Sequence, residues 1–176
     1  MKTLLLRRLV AADAPALCAL EQRGYVPTLS EAGYRHELGA NPLARYWGLQ
    51  EGEALIAYAG SWLIADEVHV SILVVDPDHR RRGLGEFLLL HLLLDGAERG
   101  GTLATLEVRR SNQPAQALYA RWGFTTVAER PRYYRDGEDG LVMLLDLRSD
   151  AAQQTARSQR HATLQKQLAL AAPITP

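Results

Sequence analysis

Apolar and polar positions along the chain divide it into short alternating runs and longer helical stretches. Residues 3–10 form a β-rich run. Asp13 can then cap a helix that carries Pro15 in its first turn and ends near Gly24. Ser30 opens a second, shorter helix, closed near Gly39 and punctuated by Asn41-Pro42. Residues 45–50 and 54–64 read as strands joined by a turn at Glu51-Gly52-Glu53, and residues 67–75 as a third strand stopped by Asp76-Pro77. A helix over about 84–99 is closed by Gly100-Gly101, and residues 102–110 alternate as a strand. Residues 114–122 make a compact helix stopped at Gly123; residues 124–134 and 141–147 are two last strands around Asp136-Gly137-Glu138-Asp139-Gly140. This order predicts an α/β layer fold in one domain, a mixed, mostly antiparallel sheet flanked by about four helices.

Residues 149–176 differ in character from the domain over 1–148. They are rich in Ala and Gln, poor in aromatics and end in Pro-Ile-Thr-Pro. A helix over 151–171 would carry only Leu164, Leu168 and Leu170 as large apolar residues. The segment therefore reads as a frayed or disordered tail, with a docked helix as the alternative.

Composition narrows the chemistry. Twenty Lys and Arg balance twenty Asp and Glu, so no electrostatic excess draws the whole molecule to nucleic acid or to an anionic membrane. The single cysteine, Cys18, rules out an intrachain disulfide and a cysteine-built metal site. Set among Ala16, Leu17, Ala19 and Leu20, it reads as a core thiol. Lys2 and Leu4-Leu5-Leu6 imitate the start of a signal peptide, but Arg7, Arg8 and Asp13 break the apolar run too early. The densest apolar stretch, 87–94, is interrupted by His91 and too short to cross a bilayer. The expectation is a cytoplasmic protein with no membrane, metal or direct nucleic-acid partner.

The strongest local signal lies between the third strand and the long helix, at Arg80-Arg81-Arg82-Gly83-Leu84-Gly85. Glycines at a helix start let a phosphate approach the backbone, and the free N–H groups of the first turn point at it. Neighbouring arginines add charge-assisted hydrogen bonds. A Walker loop is excluded because no Gly-Lys-Ser/Thr follows, and the dinucleotide fingerprint because the third glycine is missing. His91 in the helix beyond reads as a core or boundary histidine.

Two further residues carry candidate chemistry. Glu107 sits mid-strand in Thr105-Leu106-Glu107-Val108-Arg109, on the face opposite Leu106 and Val108. A carboxylate there needs solvent, a partner such as Arg109 or a neighbouring strand, or a catalytic task. In the next helix Ala115, Leu118 and Trp122 make the expected buried stripe, with Tyr119 pointing off it and Asn112 at the cap.

Arg-x-x-Gly-x-Gly after an apolar strand resembles the coenzyme A pyrophosphate loop of the GCN5-related N-acetyltransferases. Leu-Glu-Val-Arg, then Ser-Asn-x-x-Ala-x-x-Leu-Tyr-x-x-x-Gly-Phe, then Arg132-Tyr133-Tyr134, looks like the bacterial ribosomal-protein-alanine N-acetyltransferases, the RimI type. The resemblance covers about residues 4–147. It implies a GNAT-like fold with acetyl-CoA as co-substrate. Glu107 matches the family's general base and Tyr119 its proton donor. The coenzyme contacts match Leu73, Val74 and Val75, then Arg81, Arg82, Gly83, Leu84, Gly85 and Glu86, and finally Asn112. The implied acceptor is a protein N-terminal α-amine, the alanine terminus of a small-subunit ribosomal protein. A small amine or lysine side chain is the alternative acceptor, and a non-catalytic acetyl-CoA-binding module is the alternative of another class. Two positions depart from the pattern. Val26-Pro27-Thr28-Leu29-Ser30 stands where an aromatic Pro-Trp-Ser-like stretch is usual, and Ile72 where an asparagine is common.

Overall fold

The computed structural model describes residues 4–24, 28–148 and 150–174, with side chains described through Leu170. In chain order the elements are β1 (Leu4–Arg8), α1 (Ala14–Gln22), α2 (Glu31–Gly39), β2 (Ala44–Glu51), β3 (Ala54–Ile64) and β4 (Glu67–Val75). They continue as α3 (Leu84–Glu98), β5 (Leu103–Arg109), α4 (Gln113–Arg121), β6 (Thr125–Arg130), β7 (Gly140–Asp146), α5 (Ala151–Gln167) and β8 (Leu170–Ile174). One sheet orders the strands β6-β7-β5-β4-β3-β2-β1-β8. Only β4/β5 and β1/β8 are parallel neighbours. The mixed, mostly antiparallel α/β fold expected from the sequence is the one observed.

Two core layers cover the sheet. On one face α3 lies between the strands and α5, which explains why it is apolar on most sides. Phe87, Leu88, Leu89, Leu90 and Leu92 are all fully buried there. Each such side chain contributes about 1.5–3 kcal/mol. On the other face α1 and α2 pack Leu17, Leu20 and Tyr34 against Tyr46, Tyr58 and Val74. Cys18 packs at the margin of this second core, and burial pushes its thiol pKa up.

Three local expectations are corrected. Asp13 does not cap α1. Its carboxylate accepts the N–H of Val10 at 2.8 Å and is held by Arg7 at 2.6 and 2.9 Å, closing a 3-10 turn over Ala11–Asp13. The strand expected over 124–134 stops at Arg130, because Arg132 turns to φ +52° and gives its N–H to Asp139 Oδ1 at 2.8 Å. The third concerns the C-terminal segment, which is an ordered fifth helix and an edge strand rather than a frayed tail. Asp150 caps α5 by accepting from the N–H groups of Ala152 and Gln153. Leu164 and Leu168 join the α3 core, and Arg157, 3% exposed, donates to the carbonyls of Trp122 and Leu147.

What positions the site is the divergence of the two central parallel strands. β4 and β5 pair only from Glu67↔Leu103 to Val70↔Leu106. At that point the β3–β4 register jumps from Ser61↔Val70 to Gly60↔Ile72, which makes Ser71 a bulge. The extra residue reverses the alternation of β4: Val68, Val70 and Val75 pack toward α3, whereas Ile72 and Val74 pack toward α1 and α2. Beyond the bulge the strands part.

Candidate active site

The parted strands open a cleft of about 300 Å³. Leu73 and Val74 of β4 line one wall, and Glu107, Val108 and Arg109 of β5 the other. Asn112 and Tyr119 of α4 close one end. Glu21 of α1, Thr28, Tyr134 and Arg135 close the side fed by the early helices and the loop before β7. Glu107, Tyr119 and Asn112, separated in sequence, thus border one space with Leu73 and Val74 of β4.

Glu107 reaches the cleft because Ala104, Leu106 and Val108 take the core side of β5. Its ion-pair partner is Arg130 of β6, Nη1 to Oε1 3.1 Å, and not Arg109. Its second oxygen, Oε2, lies 3.5 Å from His69 Nε2 on β4. Arg109 is engaged elsewhere: Nη1 donates to Asp136 and Glu138 at 2.7 Å each, and the guanidinium lies 4.0 Å over the Tyr134 ring. Hydrogen bonding from Ser111, with Arg109 adding to it, lowers the Glu138 pKa to about 2. Burial raises the Tyr134 hydroxyl to about 12, against the pull of Arg109. These contacts fix the loop that carries Tyr134 and Arg135 at the cleft mouth.

Tyr119 does not point off the α4 stripe. It is itself buried, 8% exposed, packed with Phe124 at 5.9 Å between ring centroids, while Trp122 is buried beside it. Ala115 and Leu118 are only partly buried. Its ring is therefore held by the core where it borders the cleft.

The arginine-glycine loop leads into the N-terminus of α3. Gly83 is the N-cap, with φ +83°, a conformation that L side chains adopt at a cost. The first bond of the helix runs from Phe87 N to Gly83 O at 2.9 Å, so the N–H groups of Leu84, Gly85 and Glu86 have no acceptor inside it. A Cβ at Gly85 would stand 3.4 Å from Leu73 and 3.5 Å from Val75, which places the first turn of α3 against β4. The three arginines diverge. Arg80 Nε donates to Val75 O, Arg82 pairs with Glu51 at 3.5 Å, and the exposed Arg81, at φ +60°, makes no ion pair with the described residues. Glu86 turns its carboxylate to Arg160 of α5, leaving its main-chain N–H for a ligand. Asn112 Oδ1 accepts from Ala115 N at 3.3 Å as the cap of α4. Glycine, main-chain donors with no acceptor inside the helix and an arginine with no ion pair among the described residues can together receive an anionic group. Among the described residues no group of three or more His, Cys, Asp or Glu could hold a metal ion, and no helix is long and apolar enough to cross a membrane.

Several cleft residues were not singled out from the sequence. Glu21 is fully buried, accepting from Tyr34 Oη at 2.9 Å and from Thr28 N at 3.1 Å. Its signal is position, since it shares the buried face of α1 with Leu17 and Leu20. His69 and Arg130 are lateral neighbours of Glu107, set by strand order that the local sequence does not encode. Of the two departures from the family pattern, Ile72 lines the cleft, whereas Val26 and Pro27 lie outside the described residues.

Comparison with known proteins places the chain in a family. The model of the acetyltransferase (GNAT) family matches residues 14–124. The [ribosomal protein bS18]-alanine N-acetyltransferase of Escherichia coli (strain K12) is 36% identical over 138 residues, covering 77% of this chain and 92% of that protein. The N-alpha-acetyltransferase RimI of Mycobacterium tuberculosis is 39% identical over 145 residues, 78% of this chain and 89% of that one. The crystal structure of the ribosomal-protein-S18-alanine N-acetyltransferase from Escherichia coli superposes with a TM-score of 0.76 at 32% identity, covering 85% of this chain and 97% of that one.

Proposed function

Because the chain belongs to the GNAT family of N-acetyltransferases, we propose that it transfers acetyl from acetyl-CoA to the N-terminal α-amine of a protein, the alanine terminus of ribosomal protein bS18. The acceptor is the one for which the relatives at 32–36% identity are named. The observation that carries the reading is the cleft at the parting of β4 and β5, bordered by both Glu107 and Tyr119.

In this reading Gly83, Leu84, Gly85 and Glu86 offer main-chain N–H groups to the diphosphate, with Arg81 and Arg82 beside it and Asn112 at the α4 end. Leu73, Val74 and Val75 hold the thioester arm along β4 where it parts from β5. Glu107, directly or through water, takes a proton from the acceptor ammonium, and the amine nitrogen attacks the thioester carbonyl. A β4 N–H near Val75 stabilises the oxyanion, and Tyr119 protonates the departing thiolate. Residues 1–148 are read as the transferase domain and 149–176 as an appendage, whose helix α5 packs on α3 beside the arginine-glycine loop. A thioester-cleavage assay with acetyl-CoA against a peptide panel tests the proposal. An unblocked Ala-starting bS18 peptide should turn over, and its N-blocked analogue and free lysine should not. Turnover of small amines or lysine side chains in preference to that peptide would give the acceptor to the small-amine reading. Binding of acetyl-CoA without transfer to any amine would make the protein a sensor module.

A further inference from the structure

On the cleft side of β4 and β5, four polar side chains run side by side across the parallel pair. Glu67 and His69 come from β4, Thr105 and Glu107 from β5. Thr105 Oγ1 donates to Glu67 Oε1, and His69 Nδ1 lies 3.1 Å from the same Thr105 oxygen. A hydroxyl carries one proton. With that proton given to Glu67, Thr105 can only accept from His69, so Nδ1 carries the imidazole hydrogen. The neutral ring then presents the bare lone pair of Nε2 to Glu107 Oε2, 3.5 Å away. Two acceptors facing each other at that distance lack one proton between them.

We propose that His69 is a positioning and proton-storing residue for the transfer reaction, and that Glu107 and His69 act as one base. The inference rests on the assignment of Glu107 as base given above. A proton leaving the acceptor ammonium reaches a Glu107 oxygen and passes to His69 Nε2. The N–H bond of the ammonium breaks, an N–H bond forms on the imidazole, and Glu107 returns to carboxylate beside an imidazolium. The amine then forms the C–N bond and the C–S bond breaks. Of the two protons the nitrogen sheds, one balances the proton Tyr119 gives to the thiolate. The other is the one His69 holds until it is released to solvent.

The surroundings suit a site that alternates between neutral and charged forms. Glu67 and Thr105 back the Nδ1 side, and Glu107 faces Nε2, with Arg130 of β6 on its other oxygen. The Trp62 ring of β3 covers the imidazole at 5.6 Å between centroids, itself donating Nε1–H to Glu37 of α2 at 2.7 Å. Glu107 faces Nε2 and Glu67 lies behind Thr105 on the Nδ1 side, so an imidazolium formed during turnover is compensated.

The test has two arms. In uniformly ¹⁵N-histidine-labelled protein, the ring resonances lost in His69→Gln identify His69. Its neutral form should show the Nδ1–H tautomer; an Nε2–H tautomer would overturn the proposal. The second arm is the pH profile of kcat at saturating acetyl-CoA and Ala-starting peptide, so that only groups of the complex titrate. In His69→Gln the acid limb should move to lower pH by about one unit or more, and kcat at neutral pH should fall roughly tenfold. The KM for acetyl-CoA should stay unchanged. A uniform loss of rate with the acid limb unmoved would reduce His69 to a structural neighbour and sink the dyad, provided Glu107→Gln is crippled. Wild-type rates in Glu107→Gln would instead sink the assignment of Glu107 itself.

Discussion

Arg160 of α5 grips the carboxylate of Glu86 in the first turn of α3, Nη2 to Oε2 at 2.8 Å and Nε to Oε1 at 3.3 Å. Glu86 is nearly buried, and its charge sits where the anionic diphosphate of the coenzyme is proposed to bind. Arg160 therefore neutralises a negative charge that would repel the ligand. Arg121, a second cation near Glu86, is 3.8 Å away and mostly exposed. Arg160→Ala should raise the KM for acetyl-CoA about tenfold, the effect of roughly 1.4 kcal/mol. The double variant Arg160→Ala/Glu86→Gln should recover most of it, because the repelling charge is then absent. Calorimetric titration with coenzyme A gives the same comparison without an acceptor.

The two loop glycines should separate folding from binding. Gly83 sits at φ +83°, and a Cβ there would approach Leu164 Cδ2 to 3.1 Å. Gly83→Ala should lower stability by about 1–2 kcal/mol through the left-handed backbone alone and weaken coenzyme binding as well. At Gly85 the added methyl meets Leu73 and Val75 at ordinary contact distances. Gly85→Ala should melt near the wild-type temperature while its coenzyme KM rises, because the methyl fills the gap between α3 and β4. Main-chain bonds to a charged ligand are worth about 1.5–3 kcal/mol, so roughly tenfold or more is expected. Thermal melts beside kinetics decide it.

Glu107→Gln and Tyr119→Phe should each slow turnover about 10²–10⁴-fold, the usual effect of losing a general base or acid. Both substitutions keep the shape of the side chain, and neither residue lies in the arginine-glycine loop. Coenzyme A should therefore bind both variants with nearly the wild-type affinity. Unchanged steady-state turnover in both would remove the two residues from the mechanism.

Most of the strands and the glycine-rich entry to α3 are legible because their signals are local. Gly83 and Gly85 announce backbone approach, and alternation along 103–109 puts Glu107 opposite the core. The neighbours of Glu107 were not legible. His69 of β4 and Arg130 of β6 reach it across a sheet whose strand order the local sequence does not encode. Apolar spacing alone gives the α4 stripe to Ala115 and Leu118, whereas the larger Tyr119 fills the core. The docking of α5 is hidden for a related reason. Its docking face mixes Leu164 and Leu168 with Arg157, Arg160 and His161, whose partners on other elements a count of apolar residues does not register.

The last prediction concerns acid. His91 of α3 and His161 of α5 face each other, Nδ1 to Nε2 at 3.3 Å, stacked with Phe87. Burial, helped by the neighbouring His161, lowers the His91 pKa to about 4, and burial lowers that of His161. The unfolded chain takes up these protons near pH 6.5, whereas the folded protein resists until His91 titrates near pH 4. Between those values the unfolded state binds more protons, so stability falls as pH falls. For His91 alone the loss by pH 5 is on the order of 1–2 kcal/mol. Asp13 and Asp76, whose pKa values are lowered, keep their contribution until the pH drops below the ordinary carboxylate range, outside this window. Protonating both histidines would set two cations 3.3 Å apart on the α3–α5 contact, so α5 should loosen before the sheet does. Hydrogen exchange at pH 7.5 and 5 should show protection lost first over Ala151–Gln167. In His91→Leu/His161→Phe, which keeps the stack on Phe87 and removes both titrating rings, the melting temperature should change less between those pH values than in the wild type. An equal drop in both proteins would place the acid sensitivity elsewhere.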